Sequence, residues 1–263
     1  MTDLSPVPTS APVPQRRIVI VGATSAMAEH CARLWLQQHP TAQLVLIARD
    51  TAKLDRVARD LQVRHPQAQI SPHSCDFVAP EAITQCIDGI AASGPIDIAL
   101  IAHGTLPDQS ACQRDLQLTA QTLEINAISP MLFAERIALH MEQSRRGQLA
   151  LIGSVAGDRG RQSNYVYGAA KGLMERYAQG LQHRFAGQRY LTVTLIKPGP
   201  TATPMTANLS QNVGQLASVE SVAADIVAGV HHGKAVVYAP GKWWLIMMVI
   251  RHLPRFVFNK MRI

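Results

Sequence analysis

Ser154, Tyr167 and Lys171 are the residues of this chain whose types and spacing suit acid–base chemistry on a carbonyl group. Tyr167-Gly168-Ala169-Ala170-Lys171 opens a helical pattern, and a four-residue spacing puts the phenol and the ammonium on one helix face. A free tyrosine has a pKa of ~10 and is a poor base at neutral pH. A nearby ammonium favours the phenolate and lowers that value. Gly168 and Ala169 leave room beside the pair for a cofactor and a substrate. Ser154 sits just after an apolar run that reads as a buried strand. That places its hydroxyl at the carboxyl edge of a sheet, where ligands bind in open α/β folds, able to polarise a carbonyl. A Tyr and a Lys four apart are common on helix surfaces. The order strand, Ser154, thirteen residues to Tyr167, four to Lys171, helix and a further strand is what singles out this set.

A second set faces an anion. The β-branched run Arg17–Val21 delivers the chain into Gly22-Ala23-Thr24-Ser25-Ala26-Met27-Ala28, which opens a helix. Such a strand–turn–helix aims free backbone N–H groups at an anion. The dinucleotide fingerprint has glycines for the turn, for phosphate approach and for helix packing. Here Gly22 is retained, and Ala26 and Ala28 stand at the other two places. The segment reads as a dinucleotide turn, with Thr24 and Ser25 adding hydroxyls and Met27 in the first helical turn, or as an ordinary turn capped by Ser25. At the end of the second strand an NAD site places an acid on the adenosine ribose. This chain has Ala48 and then Arg49, and an arginine pairs with the extra 2′-phosphate of NADP. Asp50 reads as the cap of the next helix, or as the ribose acid if the strand runs longer. The expected cofactor is NADP, as NADPH, ahead of NAD. Asp76, next to Phe77 past the third strand, either hydrogen-bonds the adenine edge or serves a turn.

The elements that position these groups alternate along the chain. Apolar runs predict strands over 17–21, 43–48, 69–75, 96–102, 148–152, 191–196 and 235–238. Helical spacing covers 26–38, 51–64, 80–92, 116–143, 165–185 and 219–231. Alternation with short connections demands right-handed crossovers. The expected fold is α/β: a single doubly wound Rossmann-type domain over 16–240, with a parallel seven-stranded sheet and helices on both faces.

Composition agrees. Of 263 residues 47% are hydrophobic but only 5% aromatic, which suits a sheet buried on both sides by Val, Ile, Leu and Ala. Pro6, Pro8, Pro12 and Pro14 mark residues 1–15 as a disordered leader without the apolar core of a signal peptide. Cys31, Cys75, Cys86 and Cys112 form no C-x-x-C pair, so free thiols are expected, with no metal site. No apolar run reaches the ~18 residues of a membrane span. The net charge of +7 is concentrated at the end: after Asp225 there is no acid, while Lys234, Lys242, Arg251, Arg255, Lys260 and Arg262 follow. No nucleic-acid-binding motif accompanies them, so no nucleic acid is expected as partner. Trp243, Trp244 and the apolar residues around them make 241–263 a separate basic apolar segment, broken at Pro254. Residues 242–261 suit peripheral contact with a membrane, and equally packing on the core or on another subunit.

From about Arg17 to Tyr238 the chain resembles the short-chain dehydrogenase/reductase family. The resemblance implies a role for Asn126, in Glu124-Ile125-Asn126-Ala127, as holder of a water that links Lys171 to solvent. It implies that Lys171 also grips the nicotinamide ribose. In Lys197-Pro198-Gly199-Pro200-Thr201-Ala202-Thr203 it assigns Thr203, beside the Pro198 turn, to the nicotinamide carboxamide. Two departures stand out. The Gly-rich turn has one Gly, and the usual Asn-Asn-Ala-Gly after the fourth strand reads Ile101-Ala102-His103-Gly104, leaving Ala102 and Gly104 on the cofactor side and His103 as a wall or structural residue. These features, with the basic apolar end, resemble a branch that includes decaprenylphosphoryl-2-keto-ribose reductases. The implied activity is NADPH-dependent reduction of a ketone, with a lipid-linked keto-sugar as leading substrate. The implied assembly is a homodimer or homotetramer through the long helices. The implied place is the cytoplasm, with the inner face of the membrane open. The alternative is a non-catalytic dinucleotide sensor or scaffold, favoured by the single Gly and opposed by the complete Asn126, Ser154, Tyr167 and Lys171 set.

Overall fold

Seven strands, β1 (Arg17–Val21), β2 (Gln43–Ala48), β3 (Gln69–Ser74), β4 (Ile98–Ile101), β5 (Gly147–Ile152), β6 (Leu191–Pro198) and β7 (Val236–Ala239), pair in parallel in the order β3-β2-β1-β4-β5-β6-β7. They were obtained from a computed structural model, which describes residues 15–209 and 216–261. The expected leader lies outside the described residues except for Gln15, whose amide donates to the Thr41 carbonyl at 2.6 Å.

Strand geometry sends successive side chains to opposite faces. Along β1, Ile18 and Ile20 join one core and Val19 and Val21 the other. The first core packs under α1 (Ala26–Gln38), α2 (Thr51–Arg64) and α8 (Val219–His231) around the fully buried Trp35. The second packs under α3 (Pro80–Ala92), α6 (Ser129–Gln143) and α7 (Tyr165–Arg184) around Phe133. The edge strand β3 carries Pro72 and mostly exposed residues, as an edge tolerates.

The predicted helix over 116–143 is present but not uniform. It comprises α5 (Leu116–Leu123), a π-helical turn over Glu124–Ile128, and α6. The Ser129 N–H reaches back five residues to the Glu124 carbonyl. Asn126 lies in that widened turn, a distortion that recurs at functional sites. A short α4 (Gln109–Arg114), too brief for a periodic signal, precedes it and is capped by Asp108, which accepts from Ala111 N at 2.9 Å. Past β7, α9 (Lys242–His252) and α10 (Arg255–Phe258) are separated at Pro254. Among the described residues no helix is long and apolar enough to cross a membrane.

The chain leaves β1 toward β2 on one side and returns from β3 to β4 on the other. That reversal opens a crevice at the carboxyl ends of β1 and β4.

Candidate active site

A cavity of about 600 Å³ fills that crevice. Its walls include Gly22, Thr24, Ser25 and Met27 from the first turn, Arg49 at the end of β2, Phe77, Ala102 and Gly104 after β4, and Thr203. Asp76 and Pro198 are not on its wall. Asp76 instead accepts from Val78 N at 2.9 Å within a turn.

Gly22 has φ of 81°, and a Cβ there would lie 2.6 Å from the His103 backbone nitrogen, so this glycine serves both conformation and close approach. Ala28 is fully buried between α1 and the sheet, where one methyl fits. Ser25 is the N-cap residue of α1 but makes no side-chain cap bond, so the partial positive end of α1 faces the cavity. Asp50 caps α2 by accepting from Lys53 N at 3.0 Å, which holds its carboxyl below the usual range. The Arg49 guanidinium lies 5.8 Å from the Phe77 ring centre. His103 packs edge-on against Phe77 with centroids 4.6 Å apart and hydrogen-bonds Ser129 Oγ at 2.9 Å. Burial, with the Lys171 and Arg49 charges, pushes its pKa down to about 3, so it is neutral at any ordinary pH.

Ser154 follows β5 and caps a 3₁₀ turn over Val155–Gly157, accepting from Ala156 N at 3.1 Å. Tyr167 stands in the first turn of α7, near enough to Ser154 for that side chain to favour its phenolate. Lys171, one turn on, is 3% exposed; its Nζ donates to the Ile152 carbonyl at 3.0 Å and lies 5.8 Å from the Tyr167 ring centre. The ionisation differs from the sequence expectation. Burial pushes Tyr167 up to about 12, outweighing the influence of Ser154, and pushes Lys171 down to about 8. Without a further positive charge the phenol is held neutral.

Asn126 is fully buried; its amide donates to the Thr122 carbonyl at 2.9 Å and its Oδ1 accepts from Thr105 N at 3.0 Å. Gly104 joins the two halves. A Cβ there would lie 2.7 Å from Asn126 Oδ1 and 3.7 Å from Lys171 Nζ. The cavity wall at Gly104 therefore backs directly onto Asn126 and Lys171.

Two features escaped the sequence pattern. Lys197 is buried near the end of β6 and pairs with Asp158 and with Glu175, at 2.9 Å for the latter, while Tyr238 OH donates to Asp158 at 2.9 Å. Burial would lower the Lys197 pKa, but the two carboxylates outweigh it and leave it raised. A lysine inside the apolar run Leu195-Ile196-Lys197-Pro198 was the available signal, since such a charge needs partners. The second is Trp243, whose indole covers Gly199: a Cβ on Gly199 would lie 1.9 Å from its Nε1.

Residues 16–214 match the family described as short chain dehydrogenase. The chain belongs to the short chain dehydrogenase family. Its similarity extends to an uncharacterized oxidoreductase of Streptomyces coelicolor, 29% identical over 97% of this chain and 99% of that protein. An uncharacterized oxidoreductase of Mycobacterium tuberculosis is 28% identical over 93% and 96%. Among solved structures, a short-chain dehydrogenase from Sphingobium yanoikuyae in complex with NADPH superimposes with a TM-score of 0.78 at 20% identity, over 94% and 96% of the two chains. The actinorhodin polyketide ketoreductase with NADPH gives 0.75 at 17%, over 85% and 95%. At these identities the solved structures speak for the fold. Together with the family match they make this short chain dehydrogenase an oxidoreductase with the seven-stranded parallel architecture of its family.

Proposed function

We propose that this short chain dehydrogenase reduces a ketone to a secondary alcohol with NADPH. The observation that carries the reading is that Tyr167 interacts with Ser154 while Lys171, one turn further along α7, lies directly behind Gly104 on the cavity wall. The residues present fit a dinucleotide. Gly22 and the open N-terminus of α1 suit a pyrophosphate, and Arg49 suits a 2′-phosphate, which favours NADP over NAD. Thr203, on the cavity wall, would hold the nicotinamide end. When bound, NADPH supplies the hydride.

The chain's own groups handle the oxygen and its proton. Ser154 Oγ hydrogen-bonds the substrate carbonyl oxygen and holds it against Tyr167. The neutral Tyr167 hydroxyl gives its proton to that oxygen, acting as general acid. The Lys171 ammonium stabilises the phenolate left behind. Asn126 ties the π-helical turn to Thr105, next to Gly104, and keeps the route from Lys171 to solvent in place. A non-catalytic sensor has no use for this proton-handling set.

The substrate class we favour is a keto-sugar on a lipid carrier. Support comes from the residue pattern at 22–28 and 102–106 and from the apolar C-terminal segment seated on Gly199. We place the enzyme in the cytoplasm, on the free state of all four cysteines. We read it as a homodimer or homotetramer through α5–α6 and α7, whose Leu123, Ile128 and Leu173 are exposed. The test is NADPH oxidation by the purified chain with lipid-linked keto-sugars beside simple ketones, with and without detergent. Turnover of a ketone supports the reaction. Cofactor binding without oxidation across the panel contradicts it.

A further inference from the structure

We infer that the surface formed by α9 and α10 binds peripherally to an anionic phospholipid bilayer. Among the described residues, almost half of the exposed large apolar side chains fall between residues 244 and 261. Met247 is the one buried residue of α9. Leu245 and Val249, two residues before and after it, therefore stand on the opposite face and are 56% and 52% exposed. A helix facing water carries polar residues at those positions. Trp244 at 57% and Phe256 at 71% are also exposed.

This surface is held rigidly. Trp243 packs over Gly199, and Arg161 Nη2 reaches Met247 Sδ at 3.3 Å. Arg159 Nη1 donates to the Ile250 and Leu253 carbonyls at 2.5 and 2.7 Å, and its guanidinium lies 3.8 Å from the Phe258 ring centre. The apolar face is thus preformed and directed outward, with no ordering needed on binding.

Charge selects the occupant. Lys242, Arg251, Arg255 and Lys260 flank the apolar residues, and among the described residues none of them is in an ion pair. The sequence after Asp225 contains no acid to neutralise them. A second copy docked by the same face about a twofold axis would bring these cations together. Anionic headgroups would neutralise them while the acyl boundary takes up Leu245, Val249 and Phe256. Trp244 suits the depth between the two. Because Arg159 and Arg161 lie just beyond Ser154, and Gly199 just beyond β6, the docked bilayer would adjoin the substrate side of the site. The surface itself does not depend on the proposed reaction.

The test uses the full chain with vesicles of phosphatidylcholine alone or mixed with phosphatidylglycerol. Three forms are compared: wild type, the double variant Leu245→Glu/Val249→Glu, and the charge variant Arg251→Ser/Lys260→Ser. Wild type should co-sediment with the mixed vesicles only, shift its Trp emission to the blue, and be released by salt. The Leu245→Glu/Val249→Glu chain should bind more than about tenfold more weakly. The charge variant should weaken in the same direction and lose salt dependence. Sedimentation velocity without lipid should show the same assembly for all three. A wild type that stays in the supernatant overturns the inference. So does binding that the variants leave unchanged, or a subunit assembly that Leu245→Glu/Val249→Glu dissolves, which would make a second copy the occupant.

Discussion

The Lys197 ammonium lies 2.9 Å from Glu175 Oε2, and it contacts Asp158 as well, so that one buried cation joins β6, α7 and the loop behind Ser154. Asp158 in turn accepts from Tyr238 on β7. Removing the cation leaves two buried carboxylates without their charge partner. Lys197→Met should therefore lose roughly 3–5 kcal/mol at pH 7 in denaturant titration. Because the folded pKa of Lys197 is raised, its contribution is fully present below the unfolded value of 10.5 and is lost only at higher pH. The triple variant Lys197→Met/Asp158→Asn/Glu175→Gln should recover part of the loss.

Trp243 leaves no room on Gly199. Gly199→Ala should push the indole off its seat, costing about 1–3 kcal/mol. The Trp emission should move to the red as the half-buried ring becomes wet. An unchanged spectrum would mean that the C-terminal segment is not held there.

Lys171 makes the stability of the cofactor-free enzyme depend on pH. Its folded pKa is depressed from 10.5 to about 8 by burial. Below pH 8 both states carry the proton, and the folded state bears the desolvation penalty. Between 8 and 10.5 the unfolded chain binds more protons, so stability rises with pH across that window. Relative to Lys171→Met, wild type should gain roughly 3 kcal/mol over that range. Tyr167 is present in both proteins, so its own effect cancels in the difference. A flat difference would contradict the buried ammonium.

Arg49 decides between the two dinucleotides. Arg49→Ala removes a charge-assisted contact to a 2′-phosphate, worth about 1.5–3 kcal/mol. The Kd for NADPH should rise by about ten- to a hundredfold while that for NADH barely changes. Equal losses for both would remove the support for NADP.

The parts legible in the sequence were those set by periodicity and spacing. The central strands and their alternation with helices could be read because Ile18 to Val21, Leu44 to Ile47 and Ile98 to Ile101 have no polar interruption. Tyr167 and Lys171 could be read because a helix fixes what four residues mean. The π-helical turn at Asn126 could not, since one widened turn leaves the 3.6-residue pattern of 116–143 nearly intact. Nor could the ionisation of Tyr167, because burial, which no local pattern shows, outweighs the influence of Ser154. The partners of Lys197 come from residues 39 and 22 positions upstream, Asp158 and Glu175, and only the fold brings them together. The grip of Arg159 on the far end of α9 is hidden for the same reason.

Turnover by Tyr167→Phe tests the proposed chemistry most directly, with NADPH binding followed in parallel by cofactor fluorescence. Loss of the hydroxyl that meets Ser154 should lower kcat by about two to four orders of magnitude and leave the Kd for NADPH unchanged. A variant that turns over ketone as fast as wild type would show that the proton comes from elsewhere.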